Sequence, residues 1–508
     1  MTCLLGIDIG TTNVKAALFD HGGRCAGAFG QPYPTIYPQA RRAEQHPSDW
    51  YDATVAAIRG ALRAAEVPVG DIAALGFSGH IRSVAFLDEA FEPLHPGIIW
   101  SDTRSGDEVA WLEEELATEI GAITGNRAAT NFALPNMLWL KRRHPDLFAR
   151  VRYFSTPKDY VVHRFTGEWA GDASGQAGSL LIDIAKRDWS GELLDRLDIS
   201  KESLPPLFDS TAVIGRISRQ VAQETGLPVG VPVVVGGGDN DCAAIGAGAF
   251  RPGTTSISLG TAGIILAQLD SPMPAMRGEL DVFPHVIPGQ WYAMGMIPSA
   301  GMSLAWLKAR LADETLGAHA GNSISTEEWL ASFHQSASEL CSDDDLFFLP
   351  FLQGRGNPCK DANARGVFWG LSGAHTNRHL VAAVMEGVGY CIDQCVARIA
   401  VSTPVDEIVC CGGGSASPAW MRILANILGR PVWTNGQPEV GALGAAILAA
   451  TGIGAFETVQ EACTRMTSRD VRYLPREQDV HAHRAKAERF ARLGERLWPS
   501  GNSSKTEA

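Results

Sequence analysis

Leu4-Leu-Gly-Ile-Asp-Ile-Gly-Thr-Thr-Asn-Val-Lys-Ala-Ala-Leu-Phe-Asp20 decides how the chain is read. Two apolar runs, Leu4 to Ile9 and Val14 to Phe19, flank the tight turn Gly10-Thr11-Thr12-Asn13. That pattern predicts a β-hairpin rather than a strand feeding a helix. A dinucleotide fingerprint needs glycines at positions one, three and six, a following helix and a later acidic residue. The stretch has none of that spacing. It offers instead a carboxylate, Asp8, inside an apolar strand, followed by a turn whose N–H groups and hydroxyls can surround an anion. A buried Asp must be hydrogen-bonded or face a cation, so Asp8 beside a phosphate loop points to Mg²⁺ and a nucleoside triphosphate. The plain alternative is a hairpin whose Asp caps its own turn.

With 508 residues, 45% hydrophobic and 19% charged, the chain is expected to form two or three soluble domains. A net charge of −13 argues against nucleic acid or an anionic membrane as the main partner. Phosphate binding must then rest on backbone donors, a metal and a few placed side chains. The N-terminus enters a strand directly and no run of eighteen apolar residues occurs, so the expectation is a cytoplasmic protein. The ten cysteines are scattered, with no CxxC and no Cys/His cluster at metal-ligand spacing, and read as reduced thiols.

Along the chain, an Ala-rich helix follows Asp49-Trp50, and Ile72 to Phe77 reads as a strand ending in Ser78-Gly-His-Ile-Arg-Ser83, with Val84 to Leu87 returning as another strand. Ile98-Ile-Trp100 leads into Ser101-Asp-Thr-Arg104, placed where α/β sheets hold ligands, or an N-cap at Ser101 or Asp102. Val231 to Val235 runs into Gly236-Gly-Gly-Asp-Asn240, where three glycines allow close approach to a ligand and Asp239 sits at the emergence of the chain. Helix capping by Asp239 or Asn240 is the bland reading.

The opening pattern then recurs. Ser256-Ile-Ser-Leu-Gly-Thr-Ala-Gly-Ile-Ile-Leu266 repeats strand, Gly-Thr turn and strand, with Ser258 where Asp8 stands. This predicts an internal duplication with a boundary near residues 248–254. Later, Val409-Cys-Cys-Gly-Gly-Gly-Ser415 is a strand entering a glycine-rich loop. The small residues after Glu439 suit close contact with another backbone or with a flat ligand such as adenine.

Two Gly-Thr hairpins, a Gly-Gly-Gly-Asp-Asn string and a later Gly-Gly-Gly loop together resemble the FGGY family of carbohydrate kinases, from residue 3 to about 490. The most specific match is Gly366-Val-Phe-Trp-Gly-Leu371 followed by His379 to Glu386. Within the family the chain is similar to the xylulokinase branch through Pro157-Lys-Asp-Tyr160, Thr166-Gly-Glu168, Asp172, Ala185 to Ser190 and Gly387-Val-Gly-Tyr390. The resemblance implies an α/β fold of two duplicated RNase H-like domains, as in the actin, Hsp70 and sugar-kinase superfamily, flanking a cleft. It implies an N-terminal domain over 1–249, a C-terminal domain over 250–490, and a tail over 491–508 that ends in disorder.

It further implies ATP-dependent phosphorylation of a sugar, D-xylulose first, with ATP and Mg²⁺. Carried over by position, Asp239 is the general base, Asp8 and Asp239 hold the metal, and Gly10, Thr11, Thr12, Asn13, Gly260 and Thr261 serve phosphate. Gly413, Gly414, Ser415 and Glu439 serve adenosine, and His80, Ile81, Arg82, Trp100, Asp239 and Asn240 meet the sugar. The resemblance leaves room for a homodimer and calls for no nucleic-acid or membrane partner. The chain departs from the pattern at His80-Ile-Arg-Ser83, where the branch reads Gln-Met-His-Gly, at Gly354 to Cys359, and at Asn136 in place of a lysine. Arg82 brings a permanent charge to the sugar turn, either for hydroxyls or a carboxylate, or for an acidic neighbour. Other polyols, ketopentoses and gluconate are the alternative substrates. The rival classes are an actin- or Hsp70-like ATPase and a sugar sensor without activity.

Overall fold

The computed structural model describes residues 2–272, 278–315 and 345–499. They form two compact units, one of Met1–Arg251, Gln268–Tyr292 and Glu439–Thr467, the other of Pro252–Ala267, Ala293–Pro438 and Ser468–Ala508. The first break falls within residues 248–254, yet two later segments pack with the first unit, so the contact units are not the sequential blocks 1–249 and 250–490. The helix Glu477–Leu497 carries the chain past residue 490, where a tail was expected to begin. The end of the tail that was expected to be disordered, 500–508, lies outside the described residues.

The first unit is built on a sheet ordered Val213–Arg216, Pro232–Val234, Ile72–Gly79, Cys3–Ile9, Asn13–Phe19, Cys25–Pro32. Cys3–Ile9 pairs antiparallel with Asn13–Phe19, which pairs antiparallel with Cys25–Pro32, while Ile72–Gly79 and Pro232–Val234 run parallel to the first strand. The same arrangement recurs in a second sheet. Gly253–Leu259 forms a hairpin with Gly263–Leu269, next to Trp291–Ile297, and Val405–Cys411 and Val432–Thr434 follow in parallel on the other side. Each sheet also ends in a short antiparallel strand after its last parallel one, Val213–Arg216 in the first and Arg472–Tyr473 in the second. The predicted duplication is therefore a repeat of sheet topology. Val84–Leu87 does not return beside Ile72–Gly79; it joins a separate sheet with Pro93–Ile98 and Tyr153–Ser155.

Cys3–Ile9 reads as a continuous apolar run because both its faces are covered. Leu5, Ile7 and Ile9 pack with Trp50, Tyr51 and Phe165. Leu4 faces the other way, into a core with Ile245, Ala442, Leu443 and Ala446. The helix Val440–Gly452 covers that second face so closely that a Cβ on Gly6 would lie 1.8 Å from the Ala442 carbonyl oxygen, and one on Gly76 would lie 1.9 Å from that of Ala445. In the second unit, Asn377–Ala400 is long and apolar enough by length and composition to cross a membrane, but 78% of its apolar window is buried within the protein.

Gly6→Ala should therefore lower stability by roughly 1–3 kcal/mol or more, since a methyl group there must push the helix off the sheet. Gly373→Ala, where an added Cβ meets nothing within 4 Å, is the control. Urea denaturation of both proteins checks the contrast, and equal midpoints would refute the close-packing account.

Candidate active site

Asp8 lies at the end of its strand, opposite Lys15 on one side and Ser78 on the other. The Ser78 hydroxyl donates to Asp8 Oδ1 at 2.7 Å. A Cβ on Gly441 would lie 2.5 Å from Asp8 Oδ2, so only glycine lets the helix close over the carboxylate. Burial raises the Asp8 pKa, with the Ser78 hydroxyl and the Lys15 charge opposing and the Glu439 charge adding. The turn that follows is held by Gly10 N–H donating to the Asn13 carbonyl at 3.1 Å. Thr12 is exposed and its neighbours in the turn are half-buried, so the loop keeps a face open to a ligand.

Three further residues tie this turn to the next loop. Trp100 Nε1 donates to Thr11 Oγ1 at 2.8 Å, Trp100 N–H donates to Ser83 Oγ at 3.2 Å, and Ser83 Oγ bonds His80 Nδ1 at 2.8 Å. Burial pushes the His80 pKa down to about 3, so the ring is neutral. Asp102 does not cap the following helix, whose N-cap is Ser105. It accepts from Ala43 N–H at 2.6 Å and pairs with Arg104, which also reaches Glu44 at 2.6 Å. These contacts tie the segment at Ala43 and Glu44 to the one at Asp102 to Arg104.

Asp239 opens the helix Asp239–Ala247, whose N-cap is Gly238, and its side chain makes no cap. Its Oδ1 accepts from the Asn240 backbone and side chain, both at 2.9 Å, and the Ile81 N–H also donates to the carboxylate. Burial and then the charge of Asp8 push its pKa up to about 7, against the Asn240 and Ile81 N–H groups and the Arg82 charge. A carboxylate near neutrality can both accept and release a proton. The glycine turn before it is fixed by a buried network. Lys158 Nζ bonds Asp159 at 2.5 Å, Asp172 at 3.1 Å and the Val235 carbonyl at 2.9 Å. Asp172 accepts from Ser174 Oγ at 2.5 Å, and Ser174 Oγ accepts from Gly238 N–H at 3.1 Å. Burial penalises the Lys158 ammonium, but the two carboxylates outweigh it and hold the pKa above the ordinary lysine value.

In the second unit, Gly260 N–H donates to the Ala262 carbonyl at 3.0 Å, and Gly260 and Thr261 are exposed. The loop Gly413–Ala416 lies beside this hairpin, because a Cβ on Gly414 would meet Leu259 Cβ at 2.8 Å. Ser415 Oγ donates to the Gly412 carbonyl at 2.7 Å. Glu439 belongs to the first unit instead, paired with Lys15 at 3.0 Å. The small residues after it meet backbone: a Cβ on Gly444 would lie 1.9 Å from the Cys242 carbonyl oxygen, and one on Gly246 2.0 Å from that of Val440.

The first unit thus collects Asp8, Gly10 to Asn13, His80, Ile81, Arg82, Trp100, Asp239, Asn240 and Glu439, and the second collects Gly260, Thr261, Gly413, Gly414 and Ser415. Sequence reasoning missed Ser78, Ser174 and Asp281, the last an ion-pair partner of Arg82 at 2.6 Å. No local spacing marks them, since each acts on a residue at least 64 positions away. Among the described residues no group of three or more His, Cys, Asp or Glu could enclose a metal ion. Two half-buried carboxylates, one of which raises the proton affinity of the other, do suit Mg²⁺, which is usually held by one or two carboxylates, with waters and phosphate oxygens completing its shell.

Comparison with known proteins gives a consistent picture. Residues 3–246 match the N-terminal domain, and residues 255–453 the C-terminal domain, of the FGGY family of carbohydrate kinases. The chain is 32% identical to a xylulose kinase of Bacillus subtilis over 95% of both chains. It is also 32% identical to a xylulose kinase of Escherichia coli over 97% of this chain and 99% of that protein. The ligand-bound xylulose kinase structure from Lactobacillus acidophilus superposes with a TM-score of 0.88 at 25% identity, covering 99% and 100% of the two chains.

A titration of the free protein followed by carboxyl NMR should place the Asp239 midpoint near 7, because its raised value keeps it protonated below that pH. Asp8→Asn removes a charge that raises it and should move the midpoint down. A midpoint under about 5 in the parent protein would refute the electrostatic account, being close to an unperturbed carboxylate.

Proposed function

Because the chain belongs to the FGGY family of carbohydrate kinases, we propose that it transfers the γ-phosphoryl group of ATP to D-xylulose, giving D-xylulose 5-phosphate. The observation that carries the reading is Asp239: a half-buried carboxylate at a helix N-terminus, braced from behind, with a pKa near 7. The xylulose kinases among its relatives support the choice of sugar.

Phosphoryl transfer rests on positioning and charge neutralisation more than on covalent chemistry. Asp239 accepts the proton of the attacking hydroxyl, a role that typically contributes roughly 10²- to 10⁴-fold. His80, Ile81, Arg82, Trp100 and Asn240 orient the sugar, and the Thr11–Trp100–Ser83–His80 chain of hydrogen bonds keeps the sugar turn in register with the phosphate turn. Gly10, Thr11, Thr12 and Asn13 present donors to phosphate oxygens, as do Gly260 and Thr261. Gly413, Gly414 and Ser415 receive the adenosine, with Glu439 held by Lys15 at the start of its helix. Asp8 and Asp239 would hold Mg²⁺, which when bound neutralises phosphate charge. The protein is taken to work in the cytoplasm on small molecules.

Asp239→Asn, which keeps the size and removes the base, should lower kcat by at least about 100-fold with a smaller change in ATP affinity. Near-normal kcat in a folded variant would refute the base role. A coupled ADP-release assay over D-xylulose, L-xylulose, D-ribulose, L-ribulose, glycerol, erythritol and gluconate ranks the acceptors by kcat/KM. A lead of more than about tenfold for glycerol, erythritol or gluconate would refute the pentulose reading, and ATP turnover indifferent to every sugar would refute the kinase reading.

A further inference from the structure

Arg82 is held more tightly than a substrate-seeking arginine needs to be. It sits at φ +70° in the turn after Ile72–Gly79, a left-handed conformation that a non-glycine residue adopts only when its surroundings enforce it. Its Nη2 donates to Asp281 Oδ2 at 2.6 Å, with both side chains 6% exposed. Its guanidinium lies 4.3 Å from the ring centre of Phe132 and 5.2 Å from that of Phe283. Both rings are buried, so they fix the plane of the guanidinium as well as its position. With Nη2 taken and Nε enclosed without a partner, Nη1 is the nitrogen left for a ligand. Ile81, the residue before it, donates its N–H to Asp239, and the Arg82 charge itself acts on that carboxylate.

We infer that Asp281, through its ion pair with Arg82, sets the substrate class of this site: an uncharged polyhydroxylated acceptor rather than a sugar acid. Resting on the kinase reading above, the inference adds a residue that determines specificity. The reasoning is electrostatic. The charges of Arg82 and Asp8 both act on Asp239, and the Arg82 cation is paired with Asp281. An aldonate carboxylate entering beside Arg82 would find that cation already paired with Asp281, so its own charge would gain no partner there. A neutral ketose hydroxyl or carbonyl needs only a directed donor, which a rigid guanidinium supplies without its net charge.

The test compares kcat/KM for D-xylulose and D-gluconate in the parent enzyme, Asp281→Asn, Asp281→Glu, and the double variant Arg82→Gln/Asp281→Asn. The parent should favour D-xylulose. Asp281→Asn frees the Arg82 charge and should raise the gluconate-to-xylulose ratio at least about tenfold, while Asp281→Glu, which keeps the pair, should hold the ratio within about threefold. The double variant has no freed cation and should lose D-xylulose turnover without gaining gluconate. A folded Asp281→Asn protein with an unchanged ratio, or a double variant with the same gain, overturns the inference and leaves the kinase reading intact. Asp281→Asn buries an unpaired charge. If it fails to fold, the double variant decides by its KM for D-xylulose, expected to rise at least about tenfold; a parental value overturns the inference. A parent enzyme that prefers gluconate overturns the inference and the pentulose reading together. One that prefers glycerol overturns the pentulose reading alone, and the Asp281→Asn ratio is then taken for gluconate over glycerol.

Discussion

Backbone lies directly on backbone where the helix Val440–Gly452 crosses the first sheet. Side chains at Gly6 and Gly76 would collide with helix carbonyls, and one at Gly441 would collide with the Asp8 carboxylate. The same helix meets the helix Asp239–Ala247 glycine against backbone in both directions, at Gly246 and at Gly444. One element therefore touches the strand that ends in Asp8 and the helix that begins with Asp239. Close packing of this kind has few alternative arrangements, and it holds two carboxylates in one neighbourhood.

Holding them there is electrostatically costly, since burial and mutual repulsion both disfavour the charged forms. The fold limits the cost by different means at the two positions. Asp8 has a hydroxyl from Ser78 and the nearby Lys15 charge, whereas Asp239 has the N–H groups of Ile81 and Asn240. Behind them, the Lys158–Asp159–Asp172 cluster is fully buried but internally paired, and Ser174 passes its constraint to the Gly238 N–H. Breaking one partner of such a cluster leaves an uncompensated charge, which makes it a stiff support for the turn carrying Asp239.

The two halves share a sheet plan and differ in chemistry at one register position. Asp8 stands opposite Lys15 and Ser78, while Ser258 stands opposite Ile264 and Cys411. The second hairpin keeps the turn and loses both charges. That turn is left with backbone N–H groups and the Thr261 hydroxyl, and with no carboxylate at the register position of Asp8.

The sequence by itself determined the hairpins, their duplication and the candidate loops, because those signals are local: apolar runs with period two, Gly-Thr turns, and glycines ahead of Asp239. It also left the right pair of readings open for the helix after Glu439 and for Arg82. Only the tertiary structure decided between them. Small residues at helical spacing suit a backbone or a flat ligand equally well, and it took the carbonyls of Cys242, Ala442 and Ala445 to show that they meet backbone. Arg82 could serve a substrate or an acidic neighbour, and its neighbour, Asp281, comes from a strand 199 residues further along. Ser78, Ser174 and Asp281 carry no local signature, because each is defined by a partner that folding brings to it and that no spacing in the chain records.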